Sequence, residues 1–170
     1  MSCLGVLFAL TEKEAAQLKA APRNGRFNYM YENIEDIYFD KYPEFTQELD
    51  KSWDAMHRML TDGTLLYGDK CQPLCNVILG GEVLYGSEWE EDDGILVLKT
   101  PDQVSEIAKL LPHQDKEECR HAYGSINEED YGFPLSEDDF AYTWEWMQGS
   151  LEFWQRAASE KRYVLFTADQ

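Results

Sequence analysis

The sequence predicts an α+β fold: one helix-rich domain, residues 1–170, with a small mixed sheet built from N-terminal, central and C-terminal strands. Apolar runs of strand length occur at residues 5–10, 94–98 and 162–167. Segments with helical spacing and capping residues lie between them. A chain of 170 residues, 44% of them hydrophobic, is long enough to bury one core without metal or disulfide cross-links.

The first strand runs directly into a helix start. Thr11 and Glu14 form the Thr-x-x-Glu pattern of a capping box, in which each side chain bonds the other residue's amide. This first helix should end before Pro22, because proline disfavours helical geometry in the residue before it. The aromatic-rich residues 27–39 predict a second helix.

The centre of the chain predicts a long helix over residues 44–61, closed by Asp62 and Gly63. Apolar residues recur there in steps of four, four, three and four, which is the period of one helix face. These residues are Phe45, Leu49, Trp53, Met56 and Leu60. We expect this stripe to face the core.

The middle of the chain gives weaker signals before the next helix. Residues 74–79 could form a strand or a helix, and residues 80–93 read mostly as loop. Thr100 and Gln103 then form a second capping box, with a proline at the first helical position between them.

The last third predicts two helices and a closing strand. Asp115 starts a short helix that stops at Gly124, and residues 125–135 read as loop. Ser136 and Asp139 cap a long C-terminal helix with core-spaced aromatic residues, which leads to the strand at residues 162–167.

Charge narrows the classes of partner. The chain carries 33 Asp and Glu against 15 Lys and Arg, a formal net charge of −18. This field repels nucleic-acid phosphates and anionic lipid surfaces, so we expect neither a nucleic-acid nor a membrane partner. It favours a basic protein partner, although solubility alone also accounts for a surplus of acids.

No apolar run approaches membrane-spanning length, and a cytoplasmic location with reduced thiols is expected.

One polar cluster stands out on the predicted central helix. Asp54 and His57 are three residues apart, and Asp50, Asp54 and Arg58 follow one another in steps of four, so all of them would be neighbours there. An Asp–His pair could orient an imidazole for general-base chemistry. The structural alternative is a surface ion-pair ladder of the two acids and Arg58, with His57 packed beside Trp53. We favour it, because the sequence names no nucleophile.

Metal and cofactor sites are not expected. Cys71 and Cys75 have a C-x3-C spacing, but a zinc site needs a second spaced ligand pair, and none accompanies them. Small buried thiols explain these cysteines better. Phosphate-binding and nucleophile-elbow motifs are also missing from the sequence, so no cofactor is indicated.

The strongest signal for an interaction is an acidic segment around a tryptophan. Five acids lie among residues 88–93 and surround Trp89: Glu88, Glu90, Glu91, Asp92 and Asp93. Tyr85 and Tyr131 also fall in predicted loops between acids. Amphipathic aromatic residues in such places often anchor a partner, and packing back on the domain is the competing explanation.

The central segment also carries a family resemblance. Leu49-Asp50-Lys51-x-Trp53-Asp54-x-Met56-His57-x-x-Leu60-Thr61 is similar to the helix motif of the YfbM-like family of bacterial proteins of unknown function. The order of the later elements is similar as well. The resemblance implies a compact α+β cytoplasmic domain, and it brings no activity, substrate or cofactor.

Three hypotheses about function follow. The first is a non-enzymatic binding or regulatory protein that meets a basic protein partner, with an immunity-like role among the options. The second is a small-molecule-binding protein or hydrolase-like enzyme with its site near His57. The third is a domain that binds no ligand. The first is favoured, and the sequence leaves the oligomeric state open.

The acidic segment generates a kinetic prediction. If it binds a basic partner, charge reversal at Glu90 and Glu91 should slow association, because long-range attraction mainly sets encounter rates. Trp89→Ala should mainly speed dissociation, because buried aromatic contacts hold the complex. Binding kinetics of a partner captured from the native host, measured at two salt concentrations, test both effects. Identical rate constants for wild type and variants would assign the segment no role in binding.

Overall fold

The computed structural model describes residues 3–65, 73–86 and 94–169 of the chain. Their strands are β1 (Leu4–Leu10), β2 (Thr46–Asp50), β3 (Glu82–Tyr85), β4 (Gly94–Lys99) and β5 (Tyr163–Asp169). They form one antiparallel sheet in the order β2-β1-β5-β4-β3. The two terminal strands therefore pair at the centre of the sheet.

Helices surround this sheet. The α-helices are α1 (Glu12–Ala20), α2 (Arg26–Met30), α3 (Asp36–Lys41), α4 (Trp53–Leu60), α5 (Pro101–Leu110), α6 (Lys116–Tyr123), α7 (Glu128–Tyr131), α8 (Glu137–Gly149) and α9 (Leu151–Ser159). A π-helical turn, Tyr31–Glu35, joins α2 to α3. Short 3₁₀ turns lie at Arg23–Gly25, Pro43–Phe45, Pro73–Val77 and Leu111–His113. The predicted α+β class is confirmed. None of the helices in the described part combines the length and apolar character that a bilayer crossing requires.

The capping signals predicted helix starts correctly. The Thr11 hydroxyl accepts from the Glu14 amide at 3.3 Å, and the Glu14 carboxylate accepts from the Thr11 amide at 2.8 Å. Thr100 and Gln103 make the same reciprocal pair at the start of α5. Because these bonds involve residues only three positions apart, local sequence was enough to place them.

The predicted central helix is wrong over its first half. Residues Thr46–Asp50 form β2, which pairs with β1 in the register Phe8↔Thr46 and Val6↔Glu48. The helix starts only at Trp53, after Asp50 takes a φ of 49°. All five stripe residues are buried, as expected. Over so short a segment, the apolar spacing fits a strand as well as a helix. Pairing with the open edge of β1 therefore decided the backbone conformation.

Other differences also come from tertiary context. The sheet is antiparallel where a mixed sheet was expected, because the chain leaves β4 and enters β5 at the same end, with Lys99 opposite Val164. Residues read as loop contain β3, which is held by pairing with β4. They also contain α7, whose first amides bond the Asn127 side chain. The long C-terminal helix divides into α8 and α9 at Ser150, whose hydroxyl bonds the Met147 carbonyl at 2.7 Å.

Trp53 fixes α4 against the sheet. Its indole ring lies against Phe166 of β5 with ring centroids 5.5 Å apart, and its N–H donates to the Cys3 carbonyl at 3.0 Å. The ring fits because residue 5 of β1 is glycine: a Cβ on Gly5 would lie 2.7 Å from Trp53 Cδ1. The first turn of α4 is therefore held at the end of β1.

Lys99 is a buried amine at the end of β4. Its side chain is 0% exposed, and Nζ donates to the carbonyls of Ile78 and Val97. The amine also lies 5.4 Å from the centroid of the Phe166 ring. Burial lowers the pKa of Lys99 well below its usual range, because the charged form loses its hydration.

This burial predicts a pH-dependent effect of Lys99→Met. The pKa in the folded state lies below the unfolded value of ~10.4, so the unfolded chain binds more protons between the two values. Wild type should gain stability relative to the variant as pH rises through that window, by up to about 1.4 kcal/mol per pH unit. The hydrogen bonds that the variant lacks change the difference in unfolding free energy by the same amount at every pH, so they do not change its slope against pH.

Urea unfolding at pH 7, 8.5 and 10 measures this slope. If Lys99→Met has the larger free energy of unfolding at pH 7, its lead over wild type should shrink toward pH 10. If it has the smaller one, the deficit should grow. Lys109→Met is the matched control, because Lys109 is exposed on α5, and it should show no such slope. A pH-independent difference for Lys99→Met would contradict a depressed pKa.

Candidate binding site

A cavity of about 210 Å³ opens beside the first turn of α4. It lies between that turn, the residue that precedes β1, and the segment that runs from α7 into α8. Its lining combines aromatic rings with two carboxylates: Cys3, Lys51, Trp53, Asp54, Tyr131, Phe133, Asp139 and Tyr142. Two polar networks position these side chains.

The first network is an ion triad centred on Arg58. The guanidinium is 2% exposed and bonds Asp54 Oδ1 at 2.6 Å, one helical turn earlier on α4. It also bonds the Asp130 carboxylate on α7 and the Gly63 carbonyl, the latter at 3.1 Å. Two carboxylates share one cation, so the triad carries one net negative charge. It also ties α7 to α4.

Burial acts differently on the two ends of the Asp54–Arg58 pair. Burial raises the pKa of Asp54, and the hydrogen bond and charge of Arg58 offset this only in part. Burial also opposes the charge of Arg58, but its bonds to Asp130 and Asp54 outweigh this and raise the pKa of the guanidinium. The cation is therefore held firmly, whereas Asp54 stays short of compensating positive charge.

The second network concentrates phenol groups on Asp139. Tyr123 and Tyr131 both donate to Asp139 Oδ2, at 2.6 and 2.9 Å. Burial raises the pKa of each tyrosine, and the hydrogen bond to Asp139 raises it further. Both phenols are therefore neutral donors at physiological pH. Their two hydrogen bonds hold the Asp139 carboxylate in place at the cavity wall.

The segment between α7 and α8 forms the outer wall. Gly132 ends α7 with a φ of 81°, a conformation that favours glycine, and the chain then turns toward α8. The next residue, Phe133, is 53% exposed and its ring lies 5.5 Å from that of Tyr131. The Leu135 amide donates to the Glu128 carboxylate at 2.7 Å and closes the turn. The cavity therefore has an aromatic rim that faces solvent.

The opposite wall comes from α8 and the turn before α4. The Tyr142 hydroxyl accepts from the Lys51 amide at 3.3 Å, which joins α8 to that turn. Lys51 itself is exposed, so its ammonium group can remain in water. Cys3 completes the lining, and burial raises the pKa of its thiol to about 11, with Asp169 and Asp54 adding to the shift. Its sulfur is therefore a neutral thiol, not a nucleophilic thiolate.

The structure separates the four residues of the predicted polar cluster. Asp54 and Arg58 form the expected ion pair, but the ladder does not reach Asp50, because that residue ends β2 ahead of the helix. His57 is 1% exposed, so a ligand would have to displace packed side chains to reach its ring. Trp53, the expected neighbour of His57, lies in the cavity wall.

The described residues include possible metal ligands and one of the two cysteines of the C-x3-C pair. Within residues 3–65, 73–86 and 94–169, no group of three or more His, Cys, Asp or Glu side chains is arranged to hold a metal ion. Cys75 is buried and disulfide-bonded, so the expectation of a reduced thiol is wrong there. The reduced-thiol argument for a cytoplasmic location therefore does not extend to Cys75. Cys71 lies outside the described residues.

The proposed partner-binding segment is not part of the described structure. Glu88, Trp89, Glu90, Glu91, Asp92 and Asp93 all lie outside the described residues, and the role assigned to them stays a prediction. Tyr131, the loop aromatic also singled out, lines the cavity.

Sequence reasoning missed most of the site. Asp139 was recognised only as a capping residue, and Asp130, Tyr123 and Tyr142 were not singled out. Asp139 and Tyr142 line the cavity with Asp54 and Trp53, whereas Asp130 bonds Arg58 and Tyr123 bonds Asp139. All four lie more than 65 positions from Asp54 and Trp53 in the sequence, so no local spacing relates them. The available signal was an acid-rich and aromatic stretch at residues 128–142.

Comparisons with known proteins bear on fold and family. Residues 1–167 match the model of a family described as "Domain of unknown function (DUF1877)". The crystal structure of a protein of unknown function, YfbM from Escherichia coli, matches 97% of this chain and 99% of its own, with a TM-score of 0.63 and 21% identity. At that identity the likeness shows the fold alone. No curated protein matches the sequence.

The ion triad generates a stability prediction. Asp54→Ala should cost about 3 kcal/mol of unfolding free energy, because it leaves the buried Arg58 guanidinium with one carboxylate instead of two. Asp130→Ala should cost at most about 1 kcal/mol, because the Asp130 side chain is 60% exposed and water screens its charge. Urea unfolding of both variants measures the difference. Equal losses would contradict the unequal burial of the two acids.

Proposed function

Because the chain belongs to the DUF1877 family, whose description assigns no activity, we propose a function from the site: a non-enzymatic binding protein that receives a basic side chain of a protein partner. The observation that carries the proposal is the convergence of four aromatic rings and two carboxylates on one cavity. The rings belong to Trp53, Tyr131, Phe133 and Tyr142.

Charge favours a cationic group in this cavity. The Asp54–Arg58–Asp130 triad has one net negative charge, and Asp139 adds another. Lys51 opposes them, but it is exposed and free to turn to solvent. A cation placed against aromatic faces gains on the order of 2 kcal/mol where water is excluded. The net charge of −18 adds long-range attraction for the same class of partner.

The size and opening of the cavity suit a side chain that extends from a partner's surface. The cavity measures about 210 Å³, and its Phe133 rim is exposed to solvent. The exposed Phe133 rim provides apolar contact area for the partner's surrounding surface.

Chemistry favours binding over catalysis among the lining residues. The Cys3 thiol is protonated, and the Tyr131 phenol is neutral and donates to Asp139. Asp54 is committed to Arg58. An enzyme site needs an activated nucleophile or a base within reach of a substrate, and these three groups provide neither.

The test uses random peptides and two pairs of matched variants. Wild type should enrich peptides with arginine or lysine from a random library. Asp139→Asn should weaken a selected peptide at least about tenfold, which corresponds to 1.4 kcal/mol, whereas Asp138→Asn should change it less than about twofold. Asp138 is the adjacent exposed acid on α8, so both variants alter net charge equally.

The second pair tests the aromatic rim without risk to the core. Phe133→Ala should weaken the same peptide, and Leu110→Ala should not, because Leu110 is a similarly exposed apolar residue on α5. Affinity should fall as salt rises, because screening shortens the field to ~8 Å at physiological ionic strength. Enrichment that does not favour basic residues, or equal binding by all variants, would refute the proposal.

A further inference from the structure

A second cavity, of about 380 Å³, opens at the same edge of the sheet but on its other side. A Cβ on Gly5 would point at Trp53, which lines the first cavity, while Gly5 itself lines the second. Its neighbours in β1, Leu4 and Val6, point the opposite way and line the second. Trp146 of α8 lines it from the side.

Four acids line the second cavity. Glu48 and Asp50 of β2, Asp169 of β5 and Glu35 of the π-helical turn all line it. Within residues 3–65, 73–86 and 94–169, no lysine or arginine forms an ion pair with any of them. Asp169 accepts a hydrogen bond from the Tyr31 hydroxyl at 2.6 Å, which leaves its charge uncompensated.

Glu35 is a partly buried acid that lies near the charges of Asp169 and Asp36. It is the last residue of the π-helical turn, an irregularity that is frequent at functional sites. Burial raises the pKa of Glu35, and the nearby charges of Asp169 and Asp36 raise it further. A cation in the cavity would relieve this repulsion.

Apolar surface accompanies the charge. Leu4 is 49% exposed and Phe39 is 43% exposed, and both line the cavity together with Trp146. Exposed apolar side chains rimmed by polar groups are typical of protein-binding surfaces. The aliphatic stem of a lysine or arginine can cover such side chains while its charged end meets the acids.

The two cavities are adjacent around the edge of the sheet. Asp50 lines the second cavity, and the next residue, Lys51, lines the first. On α8, Tyr142 lines the first and Trp146, one turn later, lines the second, with ring centroids 6.2 Å apart. A single chain segment that crosses this pair of rings can therefore reach both cavities.

We propose that the second cavity receives another basic side chain of the same partner, so that the recognised element is an extended segment with two spaced basic residues. This inference rests on the proposed function of the first cavity. One helical turn of α8 advances 5.4 Å, and an extended chain advances ~3.3 Å per residue with alternating sides. Basic residues at least two positions apart, roughly 7 Å or more, span the 6.2 Å between the Tyr142 and Trp146 rings.

Synthetic peptides of equal net charge test the spacing. One series carries two arginines separated by one, two or three Gly/Ser residues; its control carries the two arginines side by side. A single-arginine peptide measures binding to one cavity, and the loss of that binding in Asp139→Asn identifies the cavity as the first. The best spaced peptide should bind at least tenfold tighter than the adjacent pair, because the second contact is intramolecular once the first has formed.

Matched variants assign the gain to the second cavity. Glu35→Gln combined with Glu48→Gln should remove the gain and leave single-arginine binding unchanged. Glu32→Gln combined with Glu44→Gln is the control, because these exposed acids lie nearby in sequence and do not line the cavity. Melting temperatures confirm folding. In an NMR titration, the pKa of the Glu35 carboxyl should fall when the spaced peptide is bound.

The outcomes separate the two proposals. Single-arginine binding that depends on Asp139, with no gain from spacing, would overturn the second-cavity inference and leave the proposed function standing. A gain that survives the Glu35 and Glu48 changes would overturn it too. No binding of any basic peptide would overturn both.

Discussion

The packing of Trp53 over Gly5 and against Phe166 is the interaction on which the rest of this structure depends. It joins α4 to the two central strands, and a side chain at residue 5 would collide with the indole ring. The same ring forms a wall of the first cavity, and its N–H bonds the chain just before β1. Core packing and site geometry therefore share one residue, and neither can change alone.

Polar contacts hold the outer wall of the site in place. Arg58 extends from the same helix and holds α7 through Asp130, while Asp139 gathers the phenols of Tyr123 and Tyr131. These bonds fix a short, acid-rich helix that would not be stable alone, because four residues cannot offset the cost of helix nucleation. The aromatic rim therefore belongs to a segment that is held in its conformation by contacts with α4 and α8.

Negative charge in excess of the neighbouring positive charge links the site to the proposed function. Acids in excess of bases are common on soluble proteins, but here they line two adjacent cavities together with aromatic and aliphatic side chains. Burial raises the pKa of Asp54 in one cavity and of Glu35 in the other. Both carboxylates are thus held where a cation would be favourable. This arrangement supports recognition of basic side chains more directly than the net charge does.

The sequence by itself determined the fold class, the capped helix starts, the terminal strands and the burial of the central stripe. These features rest on contacts three or four residues apart and on apolar periodicity. Only the tertiary structure decided that residues 46–50 form a strand, because pairing with β1 outweighs local helical spacing. It also decided the site, in which Asp54 meets Asp139 across 85 positions of sequence. Such contacts depend on how elements pack, and a single sequence gives no local period from which to predict them.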